Sequence, residues 1–543
     1  MESQPSIADA LSAALVLHQA GRLDAAQASY DAILARDPDQ PDALHLLGVI
    51  AHQRGDPDAA VDLIARALRL RPQFALAHNN LGGILRDTGR LTDAAAAYAE
   101  ALRLKPDLVG AELGLAAVSE AEGDLEAAAR RLAALAARHA EIPMIWLDLG
   151  RLRRRQRRFD AALAALARAS ALDPALFAAH NERGIAHHEA GRFAAAAASY
   201  EEALRCVGDG AIALRNLGHT LKRMNRLDDA VTCYRHAAAH RFLHCARDAA
   251  TLGLPTYTTT TAVKLAHDLA QFHHLGMPAV AARTAAVLGS VQARAGPTDI
   301  VRLTAHERMM LGPDYNRRLH VVETPALPGD PLGAWDRPRL EADYLAARPE
   351  LVVIDDFLSP AALAALRRYC VESTLWFDFS HRDGYLGAAL DDGFDCPLLL
   401  QIAEALRRAL PRVLAPHPLA HLWAYKHNSQ LKGVGVHGDD AAVNVNFWIT
   451  PDDANLEPGA GGLLVWPALA PPDWRFADFN ADGARIDAFL AEHGGPPQRV
   501  PYRANRAVVF NSSLFHATDR FRFGSGIDQR RINITMLFGE RRT

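Results

Sequence analysis

Residues 75–108 read ALAHNNLGGILRDTGRLTDAAAAYAEALRLKPDL. Two helix-forming runs flank a turn at Gly89, and Pro106 closes the second run. The same texture returns about every 34 residues. Aligning 7–40, 41–74, 75–108, 109–142, 143–176, 177–210 and 211–244 produces ladders in one register. One ladder is Gly48, Gly82, Ala116, Gly150, Gly184 and Gly218. A second is Ala26, Ala60, Ala94, Ala128, Ala162, Ala196 and Ala230. A third is Tyr30, Ile64, Tyr98, Leu132, Leu166, Tyr200 and Tyr234, and Pro38, Pro72, Pro106 and Pro174 stand near repeat ends. The alanine ladder means little in an alanine-rich chain. Its agreement with the glycine, aromatic and proline ladders carries the reading.

This pattern resembles the tetratricopeptide repeat family, whose unit is a helix–turn–helix. Small residues let facing helices approach, and proline ends the second helix. Turn formers such as Gly21, Gly55, Gly89, Gly123 and Gly191 stand between helices; repeats 5 and 7 carry Arg157 and Asn225 there. Repeat 4 departs most, with Ala116 for glycine and no closing proline. Seven repeats predict a curved all-α solenoid over 7–244, whose concave face can hold an extended peptide or another protein. The array could instead serve self-association, as in a homo-oligomer. The arginines Arg153–Arg155 and Arg157–Arg158 could meet an acidic partner, but such runs are more often solvated helix faces.

At 543 residues the chain needs two or three domains. A net charge of −4 offers no general case for nucleic acid. Lysine is confined to Lys105, Lys222, Lys264, Lys426 and Lys432; this arginine bias, with abundant alanine, fits a GC-rich bacterial genome. The N-terminus lacks the pattern of a signal peptide, and no apolar run is long enough to span a membrane. The five cysteines are scattered and form neither a disulfide framework nor a zinc pattern. These features predict a cytoplasmic protein.

Residues 245–345 lose the period. Residues 258–291 read as two helices broken at Gly276-Met277-Pro278, placed to cap the solenoid. His267, His273 and His274 lie close together, but no carboxylate stands at coherent spacing, so a helix surface is the preferred reading. The Pro- and Gly-rich stretch 323–338 reads as a domain linker.

From about 346 to 541 the texture becomes α+β. LVVID leads into Ser359 as helix N-cap with Pro360 at the first helical position. A second helix is expected over 396–410. HLWAYKHN (421–428), AVNVNFWITP (442–451), GGLLVWP (461–467), NRAVVFNS (505–512), LFHATDRF (514–521) and RINITMLFG (531–539) read as strands. Helices packed on a small antiparallel barrel or jelly roll is the expected architecture.

His437-Gly438-Asp439 stands among these strands. In extended backbone, residues i and i+2 point to one side, so His437 and Asp439 can grip one ion, with Gly438 leaving room. His516 would supply a third ligand from a neighbouring strand. Two imidazoles and one carboxylate form the facial triad of non-heme Fe(II) oxygenases. Arg531 follows, with Asn533 on the same strand face. Arginine suits a bidentate pair with a carboxylate, and could anchor a dicarboxylic 2-oxo acid whose other end chelates the metal. Alternation admits only one of Arg530 and Arg531 to that face. A second triplet, His381-Arg382-Asp383, lacks a following strand ladder and reads as coincidence. His421 and His427 share the face of Tyr425 and are ordinarily satisfied polar groups.

Residues 350–541 resemble the 2-oxoglutarate/Fe(II)-dependent dioxygenase superfamily, in particular its prolyl-hydroxylase-like branch. The matching residues are His437, Asp439, His516 and Arg531, with Asn533 where the family pattern has serine. Tyr425 stands where that branch has a tyrosine near the cosubstrate, Asn446 follows on the next strand, and Gly461-Gly462 begin another. The segment between Gly462 and Arg506, including PPDWRFADFNADGARIDAFL, is a long insertion expected to shape the substrate mouth. The resemblance implies a double-stranded β-helix (jelly roll), with Fe(II) on His437, Asp439 and His516. Cofactor-binding positions are Arg531, Asn533, Tyr425 and Asn446, and 2-oxoglutarate and O₂ are the cosubstrates. With the repeats, it implies hydroxylation of a protein or peptide. The competing expectations are a small-molecule oxygenase that uses its repeats for assembly, and a non-catalytic repeat adaptor.

Overall fold

The structure, a computed structural model, describes residues 5–207, 210–248, 259–379, 384–427 and 433–541. The chain divides into two compact units, Met1–Val207 and Gly208–Thr543.

The first unit is all-α. Helix pairs such as Pro41–Gln53 with Pro57–Leu70, and Ala75–Asp87 with Leu91–Leu104, repeat through Phe177–Glu189 with Phe193–Cys206. The glycine and aromatic ladders meet each other. A Cβ on Gly82 would lie 2.8 Å from the Tyr98 ring, and one on Gly48 would lie 2.7 Å from Ile64. Either distance is below van der Waals contact, so glycine is what lets the two helices of a repeat touch. In repeat 4, Ala116 and the smaller Leu132 share one apolar cluster. The turns reverse with a left-handed residue: Arg157 adopts φ 57° where other repeats use glycine. The Arg157 and Arg158 amides donate to Arg154 O and Arg153 O, a Schellman-type closure.

The arginine cluster is engaged within the unit. Arg151 and Arg154 meet Glu182 at 3.1 and 3.2 Å, Arg158 meets Glu126 at 2.6 Å, and Arg155 pairs with Glu120. Its charge is therefore largely matched by carboxylates of neighbouring repeats.

The second unit begins with helices Ala211–Arg223 and Leu227–Asp248, the seventh repeat. Here Asn225 takes φ 59° at the turn. Arg215 reaches Asp392 at 3.0 Å, Arg235 reaches Asp395 at 2.7 Å, and Lys222 donates to Ala420 O. Helices Ala262–His274 and Pro278–Gln292 follow, broken at Gly276. The helix-surface expectation holds for His273 and His274, which are exposed. It fails for His267, which is fully buried with Nδ1 3.3 Å from Asp268. The Pro- and Gly-rich stretch lies against the unit: the Gly333 amide and Trp335 indole both reach Phe357 O. Helix Arg337–Ala346 continues from it.

The strands, in chain order, are β1 (Thr259–Thr260), β2 (Val301–Arg302), β3 (Leu351–Ile354), β4 (Tyr385–Ala389), β5 (Leu419–His427), β6 (Val443–Trp448), β7 (Leu463–Leu469), β8 (Gln498–Val500), β9 (Ala507–Asn511), β10 (Leu514–Thr518) and β11 (Ile532–Phe538). Among the described residues, β1 pairs with β2 alone. The others form a six-stranded sheet, β3-β9-β6-β11-β5-β4, and a three-stranded one, β10-β7-β8, with antiparallel neighbours throughout. One apolar cluster joins Trp448, Val508 and Phe510 of the large sheet to Leu463, Val465, Val500 and Leu514 of the small one. The core of this region therefore sits between the sheets.

Ser359 caps helix Pro360–Glu372 by accepting from the Ala362 amide, and the second helix is Pro397–Ala409. β4 falls in a stretch for which the sequence predicts no strand. Its Gly and Ala residues have little strand preference of their own; cross-strand pairing to β5 supplies it, and a Cβ on Gly387 would lie 3.2 Å from the Asp378 Cβ. The insertion holds β8 and helices Phe476–Asn480 and Gly483–His493.

Candidate metal centre and repeat groove

Register on the large sheet decides which side chains share a face. Asn533 pairs with Tyr425 and Trp448, Thr535 with Trp423 and Asn446, and Leu537 with His421 and Asn444. Alternation sends this set to one side and Ile534, Met536, Ala424 and Val445 to the other, where they are buried. The first side walls a cavity of 670 Å³ that also contains His437, Asp439, His516 and Arg531.

His437 and Asp439 lie just before β6, and His516 lies on β10. Their ligand atoms all fall within 4.8 Å of one another. His516 Nε2 is 3.4 Å and His437 Nε2 is 3.8 Å from the Asp439 carboxylate. Donors each about 2.1 Å from one ion can be bridged at such spacing. His437 Nδ1 faces Gly435 O at 2.9 Å and His516 Nδ1 faces Leu514 O at 3.0 Å. A carbonyl only accepts, so each Nδ1 carries the proton and each Nε2 offers its lone pair inward. Asn444 Nδ2 donates to Asp439 Oδ2 at 2.6 Å.

Burial, with His516 beside it, lowers His437 to about 4, so the ring is neutral near pH 7. Burial pushes the Asp439 carboxyl up, but His516, His437 and Asn444 outweigh it and hold the group ionised. Neutral imidazoles and an ionised carboxylate are the states that bind a divalent metal. Gly438 is not there for space: a Cβ would make ordinary contact, 3.5 Å from Phe479.

Arg531 is 1% exposed and lines the same cavity. Its Nε donates to Gly461 O at 2.7 Å and one terminal nitrogen donates to Asn533 Oδ1 at 3.1 Å. Among the described residues no carboxylate lies within ion-pair distance. Burial lowers the guanidinium to about 10, so it remains charged near pH 7. Arg530 is not among the cavity residues.

Tyr425 and Asn446 line the cavity, and Asn446 Nδ2 donates to Thr535 Oγ1 at 3.0 Å. His421 lines it too, lowered to about 4 by burial and Lys222, while His427 Nε2 meets Asn533 Oδ1 at 3.0 Å. His381-Arg382-Asp383 lies outside the described residues. Sequence reasoning missed Asn444 and Trp423, although their i+2 spacing to Asn446 and Tyr425 was a usable signal. It also missed Asn480, for which the sequence holds none.

The first unit carries a second candidate site, a groove of 590 Å³ whose lining includes Asn79, Tyr98, Glu120 and Arg151. Among the described residues the buried Asn79 Oδ1 atom has no hydrogen-bond partner, and a Cβ on Gly110 would lie 3.3 Å from it.

Tetratricopeptide repeat family models match residues 11–73, 53–108, 113–175 and 147–211, and a second such model matches 213–246. The N-terminal part of this chain is a tetratricopeptide repeat array. Among solved structures it is similar to a tetratricopeptide repeat protein from Parabacteroides merdae ATCC 43184, at 15% identity over 43% of this chain and 93% of that one, with a TM-score of 0.36. It is also similar to MamA, at 22% identity over 31% and 97% (TM-score 0.28), and to YrrB, described as a TPR protein with an unusual peptide-binding site, at 16% over 34% and 95% (TM-score 0.28). No curated protein matches the chain. A tetratricopeptide array is a protein- or peptide-binding module by type, and the groove lies within it. Among the described residues no helix is long and apolar enough to cross a membrane.

Proposed function

We propose that the β-rich part of the second unit is a 2-oxoglutarate- and Fe(II)-dependent dioxygenase with a double-stranded β-helix core. In this reading it hydroxylates a protein or peptide that the tetratricopeptide array binds. The observation that carries the reading is Arg531. A buried guanidinium without a carboxylate is costly, and this one shares its cavity with the imidazoles of His437 and His516 and the ionised carboxylate of Asp439. A dicarboxylic ligand reaching from metal to arginine would satisfy both.

His437, Asp439 and His516 would hold the iron, each imidazole oriented by its backbone acceptor. Arg531, steadied by Asn533, would hold the far carboxylate of 2-oxoglutarate. When bound, iron and 2-oxoglutarate supply the activation of O₂ needed to oxidise an unactivated C–H bond. The rings of Tyr385, Tyr425 and Trp423 stand side by side along the cavity wall.

The array alone supports an adaptor role, and a small-molecule oxygenase would use it for assembly. Anaerobic titration with Fe(II) and then 2-oxoglutarate separates enzyme from adaptor. A visible charge-transfer band that disappears in His437→Ala is expected; no iron binding by the wild type leaves the adaptor. For presentation, Asn79→Ala in the full chain is expected to weaken turnover of a protein substrate and leave the charge-transfer band unchanged. Unaltered turnover would exclude this groove from presentation.

A further inference from the structure

The helical part of the insertion, between β7 and β8, does more than border the cavity. Its short helix Phe476–Asn480 packs in an apolar cluster with Phe479, Phe515, Val436 and Trp474. Phe515 and Val436 are the chain neighbours of the two ligating histidines. Phe476, 54% exposed, and Asn480 reach the cavity itself.

Two peptide units separate the ligand side chains of His437 and Asp439, and both are pinned at both ends. In the first, His437 O accepts from the His516 amide at 2.9 Å, and the Gly438 amide donates to Phe479 O at 2.8 Å. In the second, the Asp439 amide donates to Ser512 O at 2.9 Å. The remaining group, Gly438 O, accepts from Asn480 Nδ2 at 3.1 Å. Three of these four bonds are backbone to backbone. The fourth is the only one of the four made by a side chain.

We propose that Asn480 is a positioning residue for the metal centre: it fixes the Gly438–Asp439 peptide plane and thereby the span between the His437 and Asp439 ligand atoms. The inference rests on reading His437, Asp439 and His516 as metal ligands. The reason is geometric. Rotation of that peptide plane swings the Asp439 Cα–Cβ bond, and Gly438, lacking a side chain, resists such rotation least of all residues. An insertion that the strands do not require thus supplies the missing restraint, since among the described residues no strand pairs with Gly438.

The test is calorimetric titration of the full-length protein with Co(II) as the probe metal, alongside thermal melting and the visible Co(II) spectrum. Asn480→Asp keeps the size and removes the donor. It is expected to weaken Co(II) binding by about 10–100-fold, as for other groups that orient metal ligands, and to alter the Co(II) spectrum. Should Asn480→Asp lower the melting temperature markedly, Asn480→Ala, which adds no charge, decides by the same titration. Wild-type affinity and spectrum in the folded variant would overturn the inference and leave the metal reading standing. Failure of the wild type to bind Co(II) would overturn both.

Discussion

His437 and His516 exchange backbone hydrogen bonds of 3.0 and 2.9 Å, and their rings lie 4.3 Å apart. The two imidazoles are thus brought together by main-chain pairing, which an alanine substitution at a neighbouring side chain does not remove. The carboxylate is placed differently, by Asn444 and by the pinned peptide planes at Gly438.

Asn444→Ala should therefore weaken divalent-metal binding by about 10–100-fold, because it removes the donor on Asp439 Oδ2. Titration with Fe(II) under anaerobic conditions checks this. His516→Ala should lose metal far more completely. Equal affinity in Asn444→Ala would show that Asp439 needs no such support.

Arg531→Lys keeps the charge and loses the forked geometry. 2-Oxoglutarate should bind about tenfold or more weakly, since a hydrogen bond to a charged group is worth about 1.5–3 kcal/mol. Metal affinity should not change, because Arg531 bonds to Gly461 and Asn533 and not to the ligand set. The charge-transfer band, followed against 2-oxoglutarate concentration, measures both.

Gly184→Ala should destabilise the array by about 1–3 kcal/mol, the range for an overpacked contact, because its Cβ would run into the Tyr200 ring. Tyr200→Leu in the same chain should recover part of the loss. Repeat 4 is the precedent, pairing Ala116 with Leu132. Thermal melting followed by helical circular dichroism reads out both variants; a Gly184→Ala melt equal to wild type would contradict the close contact.

Lys426 lies on the face of β5 opposite the cavity, its ammonium 4.4 Å from the Trp376 ring centre and without a hydrogen-bond partner among the described residues. Burial lowers it to about 7. Its folded value is thus below its unfolded one, so between about 7 and 10.5 the unfolded chain holds more protons and stability rises with pH. Lys426→Met should flatten that rise. It should also raise the melting temperature at pH 7, because an unsatisfied buried donor costs about 1–3 kcal/mol. A melting temperature unchanged across pH in the wild type would contradict the assignment.

The repeats were legible because their physics is local and periodic. The glycine and aromatic ladders are adjacent helices seen in sequence, and Arg157 and Asn225 fit the turn by adopting left-handed backbone. Most strands were legible from alternation, and the triplet His437-Gly438-Asp439 from i, i+2 spacing. β4 was not, because Gly387 and its alanines acquire strand form only by pairing with β5. His267 was misplaced as a surface residue, because nothing local reveals what covers a helix.

Sequence alone determined the repeat array, the residue types of the candidate metal set and the alternation of side chains along each strand, since these depend on neighbours a few positions away. Only the tertiary structure decided that Arg531, and not Arg530, enters the cavity. It alone brought Asn444 to Asp439 and set Asn480 on Gly438. Those pairings join segments remote in the chain, and packing between the two sheets and the insertion, not any local preference, brings them within hydrogen-bond reach.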